Sequence, residues 1–148
     1  MAIYLNNKVG VKLATAAAPT VPSIDISSLV SAVTLTQTFD ELEVTSMGDL
    51  SRRYVAGLQA ANFSLDFFND WDASQVMQTL NAAAGQTLAV SMITVKGTVV
   101  SAANPSYQFS ILVNNLTPVG NGGVGDEAAS SLSFTVNSVV TVSPTVAF

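Results

Sequence analysis

Any chemistry in this chain has to be done without histidine or cysteine, because the sequence contains neither. Their absence removes the commonest general base, the commonest metal ligand and the thiol nucleophile together. What remains is carboxylates, lysines and hydroxyls. Two acidic groups stand out, Asp40 with Glu41 and Glu43, and Asp66 with Asp70 and Asp72. A glycosidase needs two carboxylates facing each other across a cleft. Asp40 and Glu41 instead follow one another on the solvent side of a bending strand, and Asp72 reads as a helix cap. The second group lacks the spacing and the glycine of an EF-hand loop, so calcium is not expected there. Residues 120–125, GNGGVG, match the spacing of a dinucleotide fingerprint. That fingerprint requires a preceding strand and a following helix N-terminus to hold the pyrophosphate. Here a strand follows and no lysine makes a P-loop, so the segment reads as a mobile hairpin tip, or as a loop ordered only by contact with a neighbour. No catalytic residue, cofactor or metal ligand is expected.

What is left as a candidate site is a surface. Arg52 and Arg53 are the only adjacent basic pair, and Tyr54 follows them. They sit in an aperiodic stretch, residues 46–57, with Met47, Gly48, Asp49 and Gly57. The chain on both sides has period two. Val33, Leu35 and Phe39 alternate with Thr34, Thr36, Thr38 and Asp40, which describes a half-buried strand. After Phe39 the phase changes to Leu42 and Val44, which predicts an extra residue, and so a β-bulge, near Asp40. Alternation resumes with Phe63, Leu65 and Phe67 against Asn62, Ser64 and Asp66. A long loop between two such strands reads as one that reaches a partner.

The remaining elements can be taken in chain order. Ile3 to Leu5 reads as a short strand, and residues 1–22 as an extended N-terminal arm that lies on a neighbour. Ile24 and Ile26 around Asp25 form another short strand. One helix is predicted over about residues 72–84. Asp72 would be its N-cap, Gln75 the partner in a capping box, and Trp71 with Val76 a hydrophobic staple. Its apolar stripe is Ala73, Val76, Met77, Leu80 and Ala84, and Gly85 ends it. Thr87 to Val95 is apolar on both faces and reads as a strand buried on both sides. Lys96-Gly97 and Asn104-Pro105-Ser106 are turns. The strands at 107–116 and 130–143 read as a hairpin with a long loop. The predicted class is all-β, a sandwich or barrel-like domain with one flanking helix.

Composition bounds the partners. The chain has 148 residues, which suits one domain with its own core. Only 10% of residues are charged, against about 25% in an ordinary soluble domain. A surface so poor in charge fits either extensive burial against other subunits or a neutral polar surface on a monomer. With a net charge of −5 and five basic residues, no basic stripe exists to neutralise phosphates, so specific nucleic-acid binding is not expected. No apolar run is long enough to span a membrane. Lys12 interrupts the apolar segment near the N-terminus, so a cleaved signal peptide is not expected either.

The order of features around the basic loop is the most informative part of the sequence. A strand ending in Glu43-Val44-Thr45 is followed by Gly48-Asp49, a loop, Gly57-Leu58, a strand with Phe63 and Leu65, and a short helix. This layout, over roughly residues 30–142, resembles the major tail tube proteins of long-tailed bacteriophages. The resemblance implies hexameric rings that stack into a tube, with sheet edges closed by neighbouring subunits and the phage genome passing through the lumen. It implies tape measure, tail tip and terminator proteins as partners, and a place in the virion after assembly in the host cytoplasm. Within that frame Met47, Gly48, Asp49, Arg52, Arg53, Tyr54 and Gly57 would form contacts between subunits or rings. Arg52 and Arg53 would meet Asp40, Glu41 or Asp49 of the next ring. Gln108, Ser110, Asn114, Ser133, Thr135 and Asn137, from the last hairpin, would face the lumen. A β-sandwich binding or capsid-decorating module is the rival from another class. A tube protein of a contractile or secretion system shares the layout.

Overall fold

The computed structural model describes residues 6–14, 21–120 and 122–148. The strand expected at Ile3 to Leu5 and the centre of the expected arm lie outside the described residues. Among the described residues the fold is an antiparallel sheet of eight strands with one short α-helix. The strands are β1 (Gly10–Leu13), β2 (Ile24–Asp25), β3 (Val30–Glu43), β4 (Tyr54–Phe68), β5 (Thr87–Ile93), β6 (Ser106–Leu112), β7 (Ala129–Val136) and β8 (Thr141–Ser143). Their order across the sheet is β2-β1-β5-β6-β7-β4-β3, with β8 paired to β6. The helix α1 spans Val76–Ala82.

The period-two patterns place the core. Phe63, Leu65 and Phe67 of β4 are fully buried, as are Phe134 of β7, Ile111 of β6, Leu88 and Val90 of β5 and Leu13 of β1. The Phe63 ring lies 5.3 Å from that of Phe109, edge to face, and 6.5 Å from that of Phe134. These rings tie β4, β6 and β7 together. Val33 and Leu35 of β3 pack half-buried against the same core. Across a cleft they face Met92, Ile93 and Tyr107 of β5 and β6. The β3 end of the sheet therefore curls over the β5–β6 part, which gives the sandwich-like shape.

Four elements differ from the sequence reading. First, Gly10–Leu13 is a core strand rather than part of an arm, with Val11 and Leu13 buried and β1 paired to β5. Lys12 between them hid the alternation. Second, the helix begins four residues after Asp72. Its N-cap is Gln75, without a capping side chain, because Ser74 adopts a positive φ of 64° that no helix accommodates. The Gln78 side chain accepts from the Ser74 N–H instead (2.9 Å), and the Asp70 carboxylate accepts from that of Asp72 (2.9 Å). Trp71 stays half exposed, and the buried stripe is Val76, Met77, Thr79, Leu80 and Ala83, not Ala73 or Ala84.

Third, the last strand is broken. β7 pairs with β4 along its length and meets β6 only through Ile111↔Val136 and Leu112↔Thr135. The chain then bulges at 137–140 and returns to β6 as β8. Ser138 fills the gap, its hydroxyl accepting from Ser110 N–H at 2.8 Å. The predicted hairpin thus exists only at its inner end. Fourth, β5 stops at Ile93, and Asn104 organises the segment beyond it. Its side chain accepts from Thr94 Oγ1 (2.8 Å) and Val95 N–H (3.0 Å) and donates to Val95 C=O (3.0 Å). Asn104 is 5% exposed, so Asn104→Ala would strip Val95 of partners that water cannot replace. A loss of about 1–3 kcal/mol is expected in a denaturant titration.

One ion pair anchors the β1–β2 end. Lys96 Nζ lies 2.6 Å from the Asp25 carboxylate, which also accepts from the Ser27 hydroxyl (2.6 Å) and N–H (3.0 Å). Partial burial opposes ionisation of Asp25, but the Lys96 and Ser27 bonds outweigh it and hold the carboxyl below its ordinary value of 3.8. A carboxyl depressed in the folded state binds fewer protons there than in the unfolded chain. Its contribution is therefore present above the ordinary value and is lost as pH falls through the folded one. Thermal melts across an acid series should show this loss in the wild type and a flatter profile in Asp25→Asn.

Candidate assembly surfaces

The β3–β4 hairpin is longer than the sheet that supports it. β7 covers β4 only from Asn62 to Phe68, whereas β3 and β4 stay paired out to Glu43↔Tyr54. Residues 39–59 therefore leave the sheet as a two-stranded ribbon. Gln59 marks the point of exit. Its side chain donates to Gln37 Oε1 (2.8 Å) and accepts from the N–H of Val140 (3.2 Å). The register shifts at Phe39↔Gln59 and Glu41↔Ala56, so the expected bulge is present beside Asp40. Its extra residue lies on β4, at Gly57 and Leu58, rather than on β3. A Cβ at Gly57 would stand 3.0 Å from that of Asp40, which is why glycine fits there.

The ribbon carries apolar side chains that no described residue covers. Phe39 is 57% exposed, Leu42 52%, and Tyr54 and Val55 48% each. Leu42 and Val55 are direct cross-strand partners. By alternation Phe39, Glu41, Glu43 and Tyr54 share the other face. A two-stranded ribbon is marginal by itself in water, and one with apolar residues on both faces needs a cover.

The tip is ordered from within. It is shorter than predicted, because Tyr54 and Gly57 belong to β4 and only residues 44–53 connect the strands. The Asp49 carboxylate accepts from Ser46 N–H (2.8 Å) and Oγ (3.1 Å), and Arg53 lies 3.7 Å away. The Ser46 bonds, backbone first, hold Asp49 below its ordinary value. Thr45 bridges Glu43 and the Arg53 N–H, both at 3.0 Å. Gly48 supplies a φ of 97°. Met47 and Leu50 are fully exposed at the turn. Arg53 thus has a carboxylate of its own loop nearby, while Arg52 makes no ion pair among the described residues.

The lumen candidates divide into two sets. Ser133 and Thr135 stand exposed on β7 opposite Ser64 and Asn62 of β4. One position further, Ser131 Oγ donates to Asp66 at 2.5 Å. This makes an uncharged-to-acidic row across two strands. Asn137, at the bulge, donates to Thr87 Oγ1 (3.1 Å), and Asn114 is exposed after β6. Gln108 and Ser110 are only half exposed. Gln108 donates to Ser91 Oγ (2.9 Å) and reaches Ala147 C=O (3.4 Å), under the C-terminal segment. That segment was not legible in the sequence. Ser106 Oγ donates to Val146 C=O (2.7 Å), and Lys12 sits 4.4 Å above the Phe148 ring, which fills the space a Cβ at Gly10 would need.

The two acidic groups do not converge. Among the described residues no three carboxylates come close enough to share a metal ion. The glycine-rich loop closes on itself, with the Asp126 carboxylate accepting from Gly123 N–H (2.9 Å) and Asp126 N–H donating to Gly123 C=O (3.1 Å). Gly120 and Gly125 take φ values of 112° and 90°. Asn121 lies outside the described residues.

Comparison with known proteins fixes the class of fold. No protein-family model matches the chain, and no curated protein matches its sequence. Among solved structures it matches a chain described as the "Tail of empty GTA particle computed with helical refinement, C6 symmetry". The TM-score is 0.63 at 16% identity, over 95% of this chain and 99% of that one. The chain therefore shares its all-β fold with that tail chain.

Proposed function

We propose that the chain is a structural tail protein, the tube subunit, which assembles into stacked hexameric rings and forms a conduit for DNA. The observation that carries this reading is the ribbon at residues 39–59, whose exposed apolar faces have no cover among the described residues. The fold shared with a tail solved in C6 helical symmetry supports it. The role is architectural rather than catalytic. In a tube, the β4–β7 row of Asn62, Ser64, Asp66, Ser131, Ser133 and Thr135 would offer hydroxyls, amides and one carboxylate to DNA. Such a wall neither neutralises phosphates nor reads bases, so DNA slides. The chain would act in the virion, with tape measure, tip and terminator proteins at the ends of the tube.

Negative-stain electron microscopy of the purified protein over a range of concentrations tests this. Six-fold rings or tubes are the expected result. A protein that stays monomeric at high concentration, and also when offered a tail-tip initiator, would overturn it.

A further inference from the structure

The exposed ribbon has a complement elsewhere on the same chain. A cleft of about 380 Å³ runs between β3 and the ends of β5 and β6, with Val33, Leu35, Met92 and Tyr107 in its walls. It continues past Val9 into two neighbouring clefts along Ser27 and Val30. Together they form one trough beside the unpaired edge of β3, which ends the sheet. Lys8 and Lys96 line its far end, and among the described residues no carboxylate lines any part of it. Lys96 is bound to Asp25, but Lys8 makes no ion pair among the described residues.

The ribbon face that bears Phe39, Glu41, Glu43 and Tyr54 has the opposite character. It presents two exposed aromatics beside two carboxylates, and neither carboxylate is in an ion pair among the described residues. We propose that this ribbon face of one copy seats in the trough of the next, with Phe39 and Tyr54 against its apolar walls and Glu41 and Glu43 towards Lys8. The occupant is a second copy, because acidic and apolar groups meet basic and apolar ones between two different surfaces of one chain. Such a contact is head-to-tail and repeats from copy to copy. It gives the ribbon a different electrostatic partner from the arginine-to-acid contact read from the sequence, because it uses Glu41 and Glu43 rather than Arg52 and Arg53. The inference rests on the self-assembly proposed above and deepens it.

Charge exchange tests the pairing. Sedimentation velocity of wild type, Lys8→Glu and Glu41→Lys/Glu43→Lys would be compared at matched concentration, with melting curves confirming that each is folded. Each variant alone is expected to need at least about tenfold more protein to assemble, because like charges then face each other. Mixing the two variants restores opposite charges at the contact and should recover assembly. A chain without cysteine allows a second readout: Tyr54→Cys mixed with Thr34→Cys should form a mixed disulfide on oxidation, and Tyr54→Cys mixed with Ser133→Cys should not. If wild type assembles while the charge variants assemble equally well and no selective disulfide forms, this contact is wrong and the tube reading stands. If wild type never assembles, both fall.

Discussion

Replacing Phe63 by alanine is expected to remove about 3–5 kcal/mol of stability, the cost of emptying a large, fully buried aromatic site. The side chain has no exposed surface. Its ring touches those of Phe109 and Phe134, so the cavity opens where β4, β6 and β7 meet. No neighbouring backbone is free to collapse into it, because β4 is paired on both sides at this position, to Leu35 and to Phe134. The edge-to-face contact with Phe109 is lost as well, worth about 0.5–1.5 kcal/mol beyond area. For a chain of this size the change corresponds to a fall in melting temperature on the order of 10 °C. Phe63→Leu, which keeps most of the volume, should cost clearly less. Two urea titrations decide the matter, and equal costs for both variants would contradict the packing described.

The second large effect is on assembly. Leu42→Ser combined with Val55→Ser is expected to leave the isolated subunit within about 1 kcal/mol of wild type, since the pair supports only the ribbon. The same variant should need at least about tenfold more protein to assemble, because half-exposed aliphatic surface that a neighbour would cover has become polar. Sedimentation and a thermal melt on one sample separate the two outcomes. A variant that melts normally but stays small places the ribbon at an interface. One that assembles like wild type would show that this face of the ribbon is left to solvent in the assembly. The contrast with Phe63 is physical: both positions are apolar, but one stabilises the chain and the other is available only to a second chain.

The period-two patterns were legible because burial on one face imposes them. Val33, Leu35, Phe63, Leu65 and Phe67 were read from alternation alone, and all five belong to or pack against the core. A bulge beside Asp40 was legible in place, but not through the change of phase that suggested it, because β3 keeps Phe39, Glu41 and Glu43 on one face. Its side was not, since Gly57 and Leu58 lie in a stretch without period, and only the register Phe39↔Gln59, Glu41↔Ala56 assigns the extra residue to β4. The helix was legible in type, but its start turned on Ser74, whose left-handed backbone nothing in the local sequence announces.

The sequence by itself determined the all-β class, the hairpin from 30 to 68 and the shortage of charge, because each depends on residue types at short range. Only the tertiary structure decided where the sheet stops supporting that hairpin. β7 happens to end its pairing with β4 at Asn62, and this long-range register turns Phe39, Leu42, Tyr54 and Val55 from ordinary strand residues into an uncovered surface. It likewise decided that Arg53 faces Asp49 within the chain, and that Val9, Val33 and Tyr107, far apart in sequence, line one trough. Alternation reports which face of a strand avoids water. It carries no information on whether the cover comes from the same chain or the next, because the free energy of burial is the same in both cases.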